Sequence, residues 1–121
     1  MPYVDIEPGV TLYYEFTGPE GGPTIIQFGG GLFGRHNFGM VNDGMRQNGF
    51  RLLSFDARGY GRSSCPREPY TIEGWARDGA ALVRALGIEK VLVHGTSMGG
   101  MIAIAFTAKY PELTIATCSD V

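Results

Sequence analysis

The chain has 121 residues, 44% of them hydrophobic and 18% charged, a composition that one globular domain accounts for. Its formal net charge of -2 and sequence pI of about 5.6 exclude the basic footprint that a nucleic-acid or anionic-membrane binder needs. The start, "MPYVDIEPGV", has neither a basic nor an apolar leader region, and no apolar stretch reaches the ~18 uninterrupted residues of a membrane span, so a cytoplasmic location is expected.

Taken in chain order, Thr11 to Phe16 reads as a strand followed by a Gly/Pro turn, with a short strand at Tyr3 to Ile6 as its hairpin partner. Beyond that turn the pattern changes. "TIIQF" (Thr24 to Phe28), "RLLSFD" (Arg51 to Asp56), "KVLVHG" (Lys90 to Gly95) and "LTIATCSD" (Leu113 to Asp120) are continuous apolar runs, each separated from the next by room for a helix. Runs of that kind are buried on both faces, as in a parallel sheet. The intervening segments supply the helices. Met40 to Asn48 is one. In "TIEGWARDGAALVRALG", Ile72, Trp75, Ala76, Gly79, Val83 and Leu86 recur at helical spacing, with Thr71 as the N-terminal cap and Gly87 at the end. A third helix starts at Met98, is apolar almost all round and therefore expected to be buried on the sheet, and stops before Pro111. The fold class is α/β: three layers, a mostly parallel sheet, and an N-terminal antiparallel hairpin. Cys65 and Cys118 are too few and too far apart for a disulfide framework or a metal site and read as small residues in or near the core. No cofactor and no metal are expected.

Gly95, Thr96, Ser97, Met98 and Gly99 spell G-x-S-x-G between a predicted strand and a predicted helix, which is the setting that this pattern needs to carry chemistry. A serine there sits on a sharp, strained turn, so only small neighbours fit at 95 and 99, and its hydroxyl is pushed out above the sheet. The helix N-terminus adds partial positive charge and unpaired N–H groups where an oxyanion would form. The same turn does not read as a phosphate cradle: the glycines fall at 95, 99 and 100 rather than in G-x-G-x-x-G, and no G-x-x-x-x-G-K-[ST] occurs.

With "TIIQFGGGLFGRHNF", "DARGYGRSS" and "GTSMGG" in this order, the sequence resembles the N-terminal half of the α/β-hydrolase superfamily, nearest to its esterase, lactonase and proline iminopeptidase types. The resemblance implies Ser97 as nucleophile and the Met98 backbone N–H as one oxyanion donor. It places the second donor on the loop at Gly29, Gly30 and Gly31, with Gly31 giving the N–H and Gly29 standing where many relatives have histidine. Three successive glycines leave that backbone free to approach a carbonyl oxygen. In such relatives the D-x-R-G-x-G-x-S turn of Asp56, Arg58, Gly59 and Gly61 is structural, and the triad runs serine, acid, histidine.

In the family that this sequence resembles, the base comes from a loop after the last strand, where neither histidine lies. His94 precedes the serine on the strand itself, and His36 lies in the oxyanion loop. Asp120 follows the strand after which a minority of relatives place their acid. Acid and base are therefore expected from residues outside this chain, residues 1–121 forming one incomplete domain with little turnover of its own. Its partner is a small acyl substrate, such as a carboxylic ester or lactone. The edge of its last strand is expected to meet the missing C-terminal half or another copy. A non-catalytic binding module of the same fold and a cofactor-free peroxidase of the same superfamily are the alternatives.

Overall fold

The computed structural model describes residues 2–29 and 39–120. Two strands, β1 (Tyr3–Glu7) and β2 (Val10–Thr17), form the antiparallel hairpin. After β3 (Thr24–Phe28) the chain forms α1 (Gly39–Gln47) and returns as β4 (Arg51–Phe55). Helix α2 (Ile72–Ala85) leads to β5 (Val91–Thr96), α3 (Met98–Lys109), a single 3-10 turn at Pro111–Leu113, and β6 (Thr114–Asp120).

The six strands lie in the order β1-β2-β4-β3-β5-β6. β2 joins β4 antiparallel, whereas β4, β3, β5 and β6 run parallel. This is the α/β arrangement that the apolar runs imply. Among the described residues no helix is long and apolar enough to cross a membrane.

The ends of α2 are set by its own sequence. Thr71 is extended and its Oγ accepts the N–H of Gly74, which satisfies one of the donors that the first turn leaves open. At the other end Gly87 has φ +73°, the Gly87 N–H donates to the Arg84 carbonyl, and the Ile88 N–H donates to that of Val83. That paired closure needs a left-handed residue, which glycine adopts without a Cβ clash.

Alternation along β3 separates the two faces of the sheet. Phe28 points to α2, where a Cβ on Gly79 would lie 2.7 Å from its ring, whereas Gln27 points to α1 and donates to Asn42 Oδ1. The main core lies on the face of α2 and α3 and is built around Ile26, Phe28, Leu82, Val93, Ile102 and Phe106. Helix α3 differs from the expectation of full burial. Gly99, Gly100, Ile102, Ala103 and Phe106 pack inward, but Met101 and Ile104 are 46% and 53% exposed, because only one side of α3 meets the described residues. The two cysteines also differ from expectation, since both are exposed: Cys65 lies in the loop after β4, and Cys118 on β6, one of the two edge strands of the described sheet.

Candidate active site

The chain passes from β3 to β4 on one side of the sheet and then to β5 on the other, so β3 and β5 part at a topological switch point. In open α/β sheets, ligands bind beyond the carboxyl ends of strands at such a point. Phe28 and Gly95 are paired across it, which puts the first residue of the Gly29 loop beside the turn that holds Ser97.

Ser97 has φ 59° and ψ -124°, and is the only non-glycine residue among those described with positive φ. L-residues avoid that region, and holding one there costs roughly 1–3 kcal/mol. Ser97 is exposed, and its side chain makes no capping bond to α3. Its carbonyl accepts the N–H groups of Gly100 and Met101, the first bonds of the helix. Ser97 thus stands exposed at the N-terminus of a twelve-residue helix, where Met98 and Gly99 precede the first intrahelical donors and the helix dipole favours negative charge.

Two glycines allow this turn. A Cβ on Gly95 would lie 2.1 Å from the Gly99 carbonyl oxygen, and one on Gly99 would lie 2.0 Å from the Gly29 oxygen and 2.2 Å from the Phe28 oxygen. The G-x-S-x-G spacing therefore records backbone against backbone, and α3 begins directly on the end of β3. In Ser97→Gly the same turn becomes conformationally cheap, and stability is expected to rise by about 1 kcal/mol in a denaturant titration, the relieved strain exceeding the added freedom of the unfolded chain.

Of the other residues marked in the sequence, Gly30, Gly31 and His36 lie outside the described residues, as does the side chain of Asp120, the last residue of β6. His94 is buried on the opposite face from α3, lining an open apolar hollow of about 280 Å³ with Ile25, Met45, Leu92 and Cys118. Ser97 is not among the residues of that hollow.

The D-x-R-G-x-G-x-S turn is a brace. Asp56, fully buried, accepts the Arg62 N–H and leaves no room for a Cβ on Gly61, which would lie 2.2 Å from its Oδ2. Ser63 donates to the Asp56 carbonyl and accepts the N–H of Tyr13, tying the turn to β2. Arg58 is buried and forks onto Asp78 of α2 with two bonds of 2.9 Å, and it also reaches Glu7 of β1 and Glu68. Its carbonyl accepts the Trp75 indole N–H. One guanidinium thus joins β1, α2 and the loop after β4. Burial pulls its pKa down, but the bonds to Glu7, Glu68 and Asp78 outweigh that and leave it raised. Burial pushes the Asp78 carboxyl up, with Arg58 opposing; Glu7 is held below its ordinary value by the hydrogen bond from Arg58 and then by its charge. The sequence alone did not mark Asp78 or Glu7 as members of this cluster. Asp78 falls between Ala76 and Gly79 on the buried stripe of α2, and a charge at such a position is the signal that a buried cation faces it.

A mostly parallel sheet with a strained serine at the strand-to-helix corner of its switch point is the frame of an α/β hydrolase. The family model described as the alpha/beta hydrolase fold matches residues 23–115, and the chain belongs to that family. It is 30% identical over 116 residues to a bifunctional esterase/perhydrolase of Acinetobacter calcoaceticus, covering 96% of this chain and 42% of that protein. It is 37% identical over 113 residues to a proline iminopeptidase of Pestalotiopsis fici, covering 91% of this chain and 40% of that protein. The structure superimposes on a hydrolase from Pseudomonas aeruginosa with a TM-score of 0.88 at 25% identity, over 95% of this chain and 43% of that one. The chain thus spans less than half the length of these relatives.

Proposed function

We propose that the chain carries the nucleophile of a serine hydrolase acting on a small carboxylic ester, lactone or related acyl compound. The observation that carries this reading is Ser97 itself, exposed, in a conformation that costs free energy, at the N-terminus of α3. Strain of this kind persists where the surrounding structure enforces it, and it gathers at reacting groups.

In the proposed reaction the Ser97 hydroxyl gives its proton to a general base as Oγ attacks the acyl carbonyl carbon. The resulting oxyanion takes hydrogen bonds from the Met98 N–H and from the loop of Gly30 and Gly31. The carbon–oxygen bond to the leaving alcohol breaks, the base returns the proton to that alcohol, and water then hydrolyses the acyl-enzyme. The base and its acid partner lie outside the described residues in this reading, since His94 is committed to the other face of the sheet. Residues 1–121 then form one part of a larger domain, whose remainder, or another copy, meets the edge of β6.

The likeness to an esterase/perhydrolase favours a second outcome at the same site, in which hydrogen peroxide replaces water in attacking the acyl-enzyme and releases a peracid.

A fluorescent fluorophosphonate tests the reading. It is applied to this chain and to any longer product of the same gene, and the label is located by peptide mass. Label is expected on Ser97, absent from Ser97→Ala. Label on Ser97 in the longer product alone places the triad's completion outside residues 1–121, whereas label in neither favours the non-catalytic binding module.

A further inference from the structure

Gln27 is the one polar residue in "IIQF", on a strand buried at every position from Ile25 to Phe28. Its amide is not orphaned. Gln27 Nε2 donates to Asn42 Oδ1 at 2.6 Å and lies 3.9 Å from Met45 Sδ, while Ser54 Oγ on the neighbouring β4 donates to Gln27 Oε1 at 3.3 Å. Gln27, Asn42 and Ser54 are all buried, with 4%, 7% and 7% exposure. An apolar trio of similar volume would hold the sheet and α1 together at least as well, because buried polar networks gain little net stability and instead fix one arrangement.

The place of this network gives its use. Gln27 is paired with His94, and the next residue, Phe28, with Gly95. The carbonyls of Phe28 and Gly29 lie against Gly99 at the start of α3. Asn42 is on α1, the first described element after β3, so the amide pair joins the strand that ends beside Ser97 to that helix. Leucine side chains at these positions would bury area without direction, whereas the amide pair gives α1 and β3 one preferred relative placement.

We infer that Gln27 and Asn42 are positioning residues, which through β3 fix Gly29, and with it the start of the oxyanion loop, against the turn of Ser97. This inference rests on the serine-hydrolase reading above. A misplacement near 1 Å between reacting group and donor costs on the order of 100-fold in rate, and a smaller one correspondingly less.

The test compares the second-order rate of Ser97 labelling by a fluorophosphonate, and the thermal midpoint, in the form of the protein that labels. Gln27→Leu/Asn42→Leu is expected to melt within a few degrees of the parent and to label about tenfold more slowly. The exchanged pair, Gln27→Asn/Asn42→Gln, restores an amide–amide bond and is expected to recover most of the rate. A leucine pair that folds and labels at the parental rate overturns the inference and leaves the hydrolase reading intact. If the leucine pair does not fold, the exchanged pair is set against Asn42→Ala, with rates normalised to folded protein, and equal rates overturn it. A parent that never labels removes both readings together.

Discussion

Arg58→Met is expected to destabilise the folded chain by about 3–5 kcal/mol at neutral pH, because it leaves Asp78 as a buried carboxylate without its cation. The two 2.9 Å bonds to Asp78 go first, and the ties to Glu7 and Glu68 go with them. The pH dependence separates this cause from lost packing. Burial raises the Asp78 pKa in the fold above its ordinary 3.8, and removing the guanidinium raises it further. A carboxyl raised in this way contributes stability that is complete below pH 3.8 and is lost as the pH climbs through the folded value. The gap between parent and variant should therefore narrow in acid, where Asp78 is neutral and no longer needs a partner. Glu7 works in the same direction on the parent: its carboxyl is lowered from 4.5 by Arg58, so the stability that it adds above that value fades as the pH falls. Denaturant titrations of both proteins across the acid range measure this, and a gap that stays constant with pH assigns the loss to packing instead.

Gly99→Ala is expected to act on both stability and chemistry. The added methyl would overlap the Phe28 and Gly29 carbonyl oxygens, which are backbone and cannot rotate aside. Either α3 lifts from the end of β3 or the end of β3 gives way. Overpacking at a site that relaxes costs ~1–3 kcal/mol, and with backbone on both sides the upper end is expected. The same movement separates Ser97 and the Met98 N–H from the Gly29 loop, and a displacement near 1 Å costs on the order of 100-fold in rate. Under the serine-hydrolase reading, labelling of Ser97 in Gly99→Ala should fall by that factor while the fluorophosphonate still saturates at parental concentrations. An alanine variant with unchanged midpoint and labelling rate would mean that the close approach of α3 to β3 sets nothing at the site.

The sequence by itself determined the elements and their type, because each is encoded by local physics. Apolar runs marked β3, β4, β5 and β6; the Thr71 cap and Gly87 end bounded α2; and Pro111 halted α3. It also marked Ser97, since a turn tight enough to need glycine at 95 and 99 leaves that spacing in the chain. What only the tertiary structure decided concerns contacts between residues distant in sequence. The exposed sides of α3 and β6 could not be read from their composition, because an apolar residue is buried only where a partner surface reaches it. The partners of Arg58 come from β1, the loop before α2 and α2 itself, and no periodicity links positions 7, 58, 68 and 78. Gln27 looked like one more member of an apolar strand. Strand order alone sets it between Ser54 and His94 and beneath Asn42, where an amide has both a donor and an acceptor to meet.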